Sequence, residues 1–439
     1  MSTRTIKGSL VAECFGAGLL VAYTGMLFAH RAPPNMTDYA NWTYQGVLLA
    51  RHIQGGVDAA HVLKPYPVPN SAATVGVGLL ALLLPWKIAA KVWLCLQLGI
   101  TFFALRHLVR TTGASAVAWL IVPQAAFLGV NWWYGFVNFE LGLAWVLLMA
   151  SLLLRRARGD GGRDWVIGLV LVLAFFTHMI PFAFCGLLVL LYALQTRRWG
   201  IVWQVLPSGL LTLWYMVGRY VLAGDADGQA GMQLTMRNYS AAFWAYKLNS
   251  YLKSFGFDNP IDDAGSLTLG LLGKPLFLLL FAVNVVLCCL VAWSLVEAAR
   301  RAYREGLAER FLWAGILVLL PVYLLAPGTA LGVSDPGFRV LQTVLTLGMV
   351  LCCRGRSRLL QAAGCGGMIL AVAGAVIFAR AGFGAALVGA TTEHVPEHVV
   401  EFAHVPIHDQ DYFYRALERG DLGQTVFPTG IFLNRVSTK

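Results

Sequence analysis

Apolar runs long enough to cross a bilayer recur along the whole chain, separated by short polar stretches rich in arginine. Taken as spans, they fall at 10–29, 88–108, 114–130, 138–154, 165–177, 179–195, 201–222, 271–294, 311–326, 338–353 and 359–379. One more apolar segment, 72–84 (AATVGVGLLALLL), stays out of the set, because it is too short to cross and Pro85 ends it. Counting it would flip every later loop. The groups Arg106/Arg110, Arg155/Arg156/Arg158/Arg163, Arg197/Arg198, Arg300/Arg301/Arg304/Arg310 and Arg354/Arg356/Arg358 would then leave the cytoplasmic side, against the positive-inside rule. With 72–84 lying in or dipping into the outer interface, all five groups gather on one face. The spans at 165–177 and 311–326 are short, and are expected to extend, tilt or sit in a locally thinned bilayer.

The expected fold is therefore all-α. It is a polytopic integral membrane protein of about 11 transmembrane helices, with interfacial amphipathic helices in its first outer loop. Residues 1–379 form the transmembrane domain, with outer loops at 30–87 and 223–270, and 380–439 form an extracytoplasmic tail. Arg4 and Lys7 precede the first apolar run and no small-residue cleavage site follows it, so the N-terminus is expected in the cytoplasm as an uncleaved signal-anchor. A multi-pass protein of the plasma (inner) membrane with an extracytoplasmic C-terminus results.

Composition supports this frame. Of 439 residues, 58% are hydrophobic and 13% charged, too little polar surface for a soluble chain of this length. A net charge of +11 would point to nucleic acid in a soluble protein. Here the basic residues lie between apolar runs, where they set topology and touch anionic lipid, and no nucleic-acid partner is expected. The eight cysteines avoid the outer loops and form no CxxC pair, so neither disulfides nor a sulfur-based metal site is expected. His394, His398, His404 and His408 gather in the tail, but Pro396 and Pro406 break the helix that would align them. A solvated polar segment is expected there, with no metal and no cofactor.

The candidate chemistry lies at the outer ends of the spans. Asp38 follows the first span, with Tyr39, Trp42, Val47, Leu48 and Ile53 spaced for an amphipathic helix ending at Gly55-Gly56. Asp38 has two readings: with Thr37 it caps that helix, or it is a carboxylate held at the membrane face as a general base. Glu140, His178, Arg219 and Arg339 reach the same depth from separate spans, and Arg237 and Lys247 belong to the second outer loop. Ionisable groups bordering spans mark function or, more blandly, snorkelling and helix pairing. Both signs of charge on one face suit an anionic headgroup, held by Arg339 with Arg237 or Lys247, beside a base. The clusters Trp132-Trp133-Tyr134 and Tyr39/Trp42/Tyr44 are expected as interfacial belts, with a sugar-stacking platform as the sharper alternative. The sequons at Asn35, Asn41 and Asn238 fall in outer loops and carry little weight.

Several of these features occur together: Asp38 at the head of a helix running to Tyr44, then Tyr66-Pro67-Val68-Pro69, the non-crossing apolar helix, the Leu84-Pro85 turn and the span around Trp93 and Gln97. The layout of residues 1–200 resembles the GT-C class of polytopic glycosyltransferases, which use polyprenyl-phosphate sugars outside the membrane. The resemblance implies a catalytic acid in the first outer loop, at Asp38, and a cation at the lipid-phosphate site, for which Arg339 is the candidate. Many members carry a paired acid near the first. Here the next acidic residue is Asp58, which weakens a metal-dependent mechanism and leaves a single base with positive charge on the leaving phosphate. The resemblance thus implies a membrane glycosyltransferase, its partners being membrane lipids and a polyprenyl-phosphate-linked sugar. The sugar, the acceptor and the oligomeric state are not legible. A transporter or lipid flippase is the alternative, although no internal repeat is found. A non-catalytic assembly protein is the third reading.

Overall fold

The computed structural model describes residues 3–29, 33, 36–56, 60–126, 132, 135–160, 163–222, 240–254, 274–327, 329–330, 333–334, 336–354, 358–381, 412–424 and 430–434. The architecture is helical. The elements are α1 (Thr3–Ala29), α2 (Thr37–Ile53), β1 (His61–Leu63), α3 (Ala72–Ala81), α4 (Trp86–Thr112), α5 (Ala118–Ala126), α6 (Val137–Ala157), α7 (Asp164–Thr177) and α8 (Met179–Thr196). A 3-10 turn (Trp199–Val205) leads into α9 (Leu206–Val217) and a π turn (Gly218–Leu222). Then come α10 (Ala241–Lys253), α11 (Lys274–Arg304), α12 (Arg310–Leu325), β2 (Thr329–Ala330), β3 (Val333–Ser334), α13 (Pro336–Cys352), α14 (Arg358–Ala381), α15 (Tyr412–Arg419) and β4 (Phe432–Asn434). The strands form two short antiparallel ladders, β1 with β4 and β2 with β3.

Among the described residues, six segments are long and apolar enough to cross a membrane: Val11–Ala29, Trp86–Thr112, Val137–Ala157, Met179–Thr196, Trp199–Val221 and Lys274–Arg304. Shorter apolar helices cover Ala72–Ala81, Asp164–Thr177, Arg310–Leu325, Pro336–Cys352 and Gln361–Ala373. The chain is thus a multi-pass membrane protein by the length and composition of its helices. The expected short spans are short here too: α7 has 14 residues and α12 has 16. The eighth expected span differs, since α11 runs on to Arg304 and carries Arg300 and Arg301 within its last turns. Helix α3, with 10 residues, rises about 15 Å, half a hydrocarbon core.

Contacts sort the helix ends into two sets. At one end, Glu309 is buried between Arg354 and Arg158, Glu13 pairs with Arg106 and Arg110, and the Ser115 N–H donates to the Cys353 carbonyl at 2.8 Å. This is the arginine end. At the other end α2 and α3 pack on each other and on the starts of α4 and α6. This is the loop end. Gly46 and Gly78 allow the α2–α3 crossing, because a Cβ on either would meet backbone or side-chain atoms of the partner at 3.0 Å. The main apolar core runs between the ends, and a second cluster at the loop end joins Tyr44 and Leu48 of α2 to Tyr66, Tyr215, Phe413 and Phe432.

The tail is part of this second cluster. Trp86 stacks on Tyr414, with ring centroids 5.7 Å apart. Gln45 Oε1 accepts from the Ile431 N–H at 3.1 Å, and β4 pairs with β1 in the register His61↔Asn434. The described parts of the C-terminal segment therefore wrap the first loop.

Candidate active site

One hexapeptide, Gly135-Phe136-Val137-Asn138-Phe139-Glu140, organises the loop end. Gly135 adopts φ +80°, and a Cβ there would lie 2.8 Å from the Tyr39 nitrogen and 2.9 Å from the Asp38 nitrogen. Only glycine lets the chain come this close to the start of α2. Asn138 clamps α3: its Oδ1 accepts from the Ala73 N–H at 2.7 Å, and its Nδ2 donates to the Asn70 carbonyl at 2.8 Å. Ser71, at the cap position, makes no side-chain cap bond of its own, so Asn138 supplies the missing acceptor from another helix. Phe139 meets the His178 ring edge-on at 5.4 Å. Phe136 lies beneath Arg339, whose guanidinium carbon is 4.1 Å from the ring centroid.

Asp38 does not cap its helix. Met36 occupies the cap position, without a side-chain cap bond, and Asp38 sits in the first turn, partly buried. Burial raises its pKa to about 7, with the Arg339 charge pulling the other way. The general-base reading thus has a carboxylate that ionises near neutrality, in the field of a cation from α13.

Arg339 is buried, and its Nη1 lies 3.0 Å from His178 Nε2. His178 breaks the chain between α7 and α8 and caps α8, its Nδ1 accepting from the Ile180 N–H at 3.2 Å. Burial and the adjacent guanidinium both push the imidazole toward its neutral form. A neutral imidazole has one acceptor nitrogen. The two contacts compete for it: with Nδ1 used as the cap the proton goes to Nε2 and faces an Arg339 N–H across 3.0 Å, and with Nε2 accepting from Arg339 the cap bond is lost. An acceptor oxygen placed against both N–H groups of the first arrangement would satisfy them together, as a phosphate oxygen does.

The remaining sequence candidates differ in their surroundings. Glu140 lies one turn into α6 with 1% exposure, and neither carboxylate oxygen has a hydrogen-bond partner among the described residues. Lys247 is buried at the loop end, but between the rings of Phe243 and Tyr323, donating to the Ala326 carbonyl at 3.3 Å. It lies against Gly337, two residues before Arg339, and so supports the start of α13. Arg219 bonds the Tyr215 hydroxyl and lies 5.5 Å from the Tyr220 ring. Arg237, Asp58 and the tail histidines lie outside the described residues.

The aromatic expectation is corrected for the members that are described, while Trp133 and Tyr134 lie outside the described residues. Tyr39, Trp42, Tyr44 and Trp132 are all buried and pack within the protein, so they form neither a belt nor an open platform. Trp132 meets Tyr23 of α1 edge-on at 6.3 Å, and the Tyr39 hydroxyl donates to the Ala90 carbonyl at 2.5 Å. Among the sequons, Asn41 is buried and bonded to Gln45, which closes it to glycosylation in the folded chain.

Contributors not singled out from sequence include Gly135, Phe136, Asn138 and Gln342. Gln342 was legible, since Arg339, Gln342, Thr343 and Thr346 keep the i, i+3, i+4, i+7 spacing of one helix face in an otherwise apolar run. Gly135 and Phe136 act through backbone approach and ring position, for which the sequence carries no signal. All eight cysteines are free, and no cluster of metal-ligating residues occurs among the described residues. No protein family model, no characterised protein and no solved structure matches this chain.

Proposed function

We propose that the chain is a membrane glycosyltransferase that moves a sugar from a polyprenyl-phosphate carrier to a hydroxyl of a lipid-linked or glycan acceptor. The loop end faces the extracytoplasmic water and the arginine end the cytoplasm, with the eleven spans read from sequence crossing and α3 staying at the outer face. Asp38 takes the proton from the acceptor hydroxyl. That oxygen attacks the anomeric carbon as the bond to the carrier phosphate breaks. Arg339 and His178 Nε2–H hold the departing phosphate oxygens. The observation that carries this reading is a carboxylate that ionises near neutrality in the field of Arg339, a buried guanidinium that itself lies 3.0 Å from His178 Nε2.

Transport fits less well, because the buried polar face of α13 stops at Thr346. The next residues, Leu347 to Leu351, are apolar or glycine, and Arg339 to Thr346 covers about 10 Å of rise. Turnover is to be measured with purified protein, polyprenyl-phosphate sugars and a lipid-linked acceptor pool, for wild type and Asp38→Asn. Loss of at least a hundredfold in a folded variant is expected for a lost general base. Unchanged turnover removes Asp38 from the mechanism.

A further inference from the structure

Beneath the Arg339–His178 pair lies a second group of polar atoms for which the phosphate has no use. Helices α6 and α13 run in the same direction from the loop end, and they meet at Phe136 and Arg339. Glu140 is one turn on from Phe136, joined to it by the hydrogen bond from its own N–H to the Phe136 carbonyl at 3.0 Å. Gln342 is three residues on from Arg339. At 1.5 Å per residue the two side chains start about 4.5–6 Å deeper than the contact above them, at nearly the same level. Gln342 is 0% exposed and Glu140 1%. Both carboxylate oxygens, both ends of the Gln342 amide and the Thr346 hydroxyl have no hydrogen-bond partner among the described residues.

Five unbonded polar atoms on two adjoining helices are a large desolvation load, and a packed core does not retain them without a guest. The donor and acceptor mixture defines that guest. Carboxylate and amide oxygens accept, the amide nitrogen donates, and the threonine hydroxyl does either. A bare cation is opposed by the amide N–H₂ group, and an anion by the carboxylate. Groups that donate and accept through the same atom, the hydroxyls of a sugar, match the whole set.

We propose that Glu140 and Gln342, with Thr346 below them, form the subsite that binds the hydroxyls of the sugar carried on the lipid phosphate. This inference rests on the glycosyltransferase reading and adds to it the residues that distinguish one sugar from another. The phosphate is held above by Arg339 and His178, and the sugar hangs inward toward α6.

The test is equilibrium binding in lipid nanodiscs. The probes are bare polyprenyl phosphate and the same lipid phosphate carrying a hexose, a pentose or an N-acetylhexosamine. At least one sugar-bearing probe is expected to bind wild type about tenfold tighter than the bare lipid, the worth of one or two hydrogen bonds to a charged or amide group. Glu140→Gln and Gln342→Leu should each bring that ratio below about threefold while leaving bare-lipid affinity unchanged. Gln342→Leu should also melt higher than wild type, since it replaces an unbonded buried amide with an apolar group of similar size. If the sugar increment survives in both variants, or no probe exceeds the bare lipid, the subsite is wrong and the phosphate reading stands. If the bare lipid fails to bind wild type, and Arg339→Met changes nothing, both fall together.

Discussion

At the residue scale the pKa of Asp38 makes the first prediction. A base that ionises near pH 7 gives a kcat/KM that rises with pH and levels off above about pH 7. Arg339 lowers that pKa, so Arg339→Met should move the midpoint upward as well as weaken donor binding. A pH–rate profile of both proteins checks this, and a midpoint that stays put separates the two residues. Stability follows the same linkage. The folded pKa lies above the ordinary carboxylate value near 4, so the folded state holds the proton more tightly. The contribution is complete below about pH 4 and is lost as pH rises toward 7. Melting temperature should therefore fall across that window in wild type, and fall less in Asp38→Asn. Gly135 gives the second prediction. Gly135→Ala places a Cβ 2.8–2.9 Å from the backbone nitrogens of Tyr39 and Asp38, at φ +80°. Strain of about 1–3 kcal/mol is expected, together with displacement of Asp38. On the proposed mechanism turnover should drop more than donor affinity, because Gly135 lies against the backbone of Asp38.

At the scale of elements, the sequence was most informative where period and length decide the outcome. Helix α2 ends at Ile53 with Gly55 at φ +82°, as the glycine pair predicts. Helix α3 is a short apolar helix, because Pro85 and its 10 residues allow nothing longer. The role of Asp38 was only half legible: an Asp near a helix start signals a cap, and here Met36 takes that place. The aromatic clusters misled for a physical reason. Tyr and Trp are amphipathic, and a loop folded back on the bundle buries them as readily as an interface does. Docking of the tail was not legible at all, since it depends on contacts between residues more than 300 positions apart, such as Gln45 with Ile431. That docking braces the helix carrying Asp38. Gly430 lies where a Cβ would meet the Gln45 amide at 2.0–2.5 Å, and Gln45 is already fixed by Asn41 and Ile431. Gly430→Val should release the tail from α2, exposing it to protease and lowering turnover several-fold. Lys87→Ala, which removes the exposed pair with Glu418 and the contact over the Trp86 ring, should do neither, as such exposed interactions contribute about 1 kcal/mol or less.

At the scale of the whole molecule, the packed tail constrains the number of crossings. Residues 412–424 touch α2, so they lie on the same side of any membrane as the first loop. With the polar stretch 382–411 on that side too, as the proposed topology has it, the chain crosses an even number of times between the start of α4 and the end of α14. The long apolar segments in that stretch are five: Trp86–Thr112, Val137–Ala157, Met179–Thr196, Trp199–Val221 and Lys274–Arg304. Five is odd and would set tail and loop on opposite faces. If those five all cross, as proposed, an odd number of the shorter passages is expected to cross as well. The passages expected from sequence at 114–130, 165–177, 311–326, 338–353 and 359–379 would supply five, which restores an even total of ten and, with α1, the proposed eleven. The expectation is concrete. In a cysteine-free background, Gly55→Cys in the first loop and Gly423→Cys in the tail should react with a membrane-impermeant maleimide from the same, extracytoplasmic side. Gly159→Cys and Gly306→Cys, on turns at the arginine end, should react only after the membrane is opened. Labelling of Gly55→Cys and Gly423→Cys from opposite sides would break the parity. Labelling of both from the cytoplasm would keep the fold and reverse it in the membrane, leaving Asp38 on the wrong side for a donor presented outside.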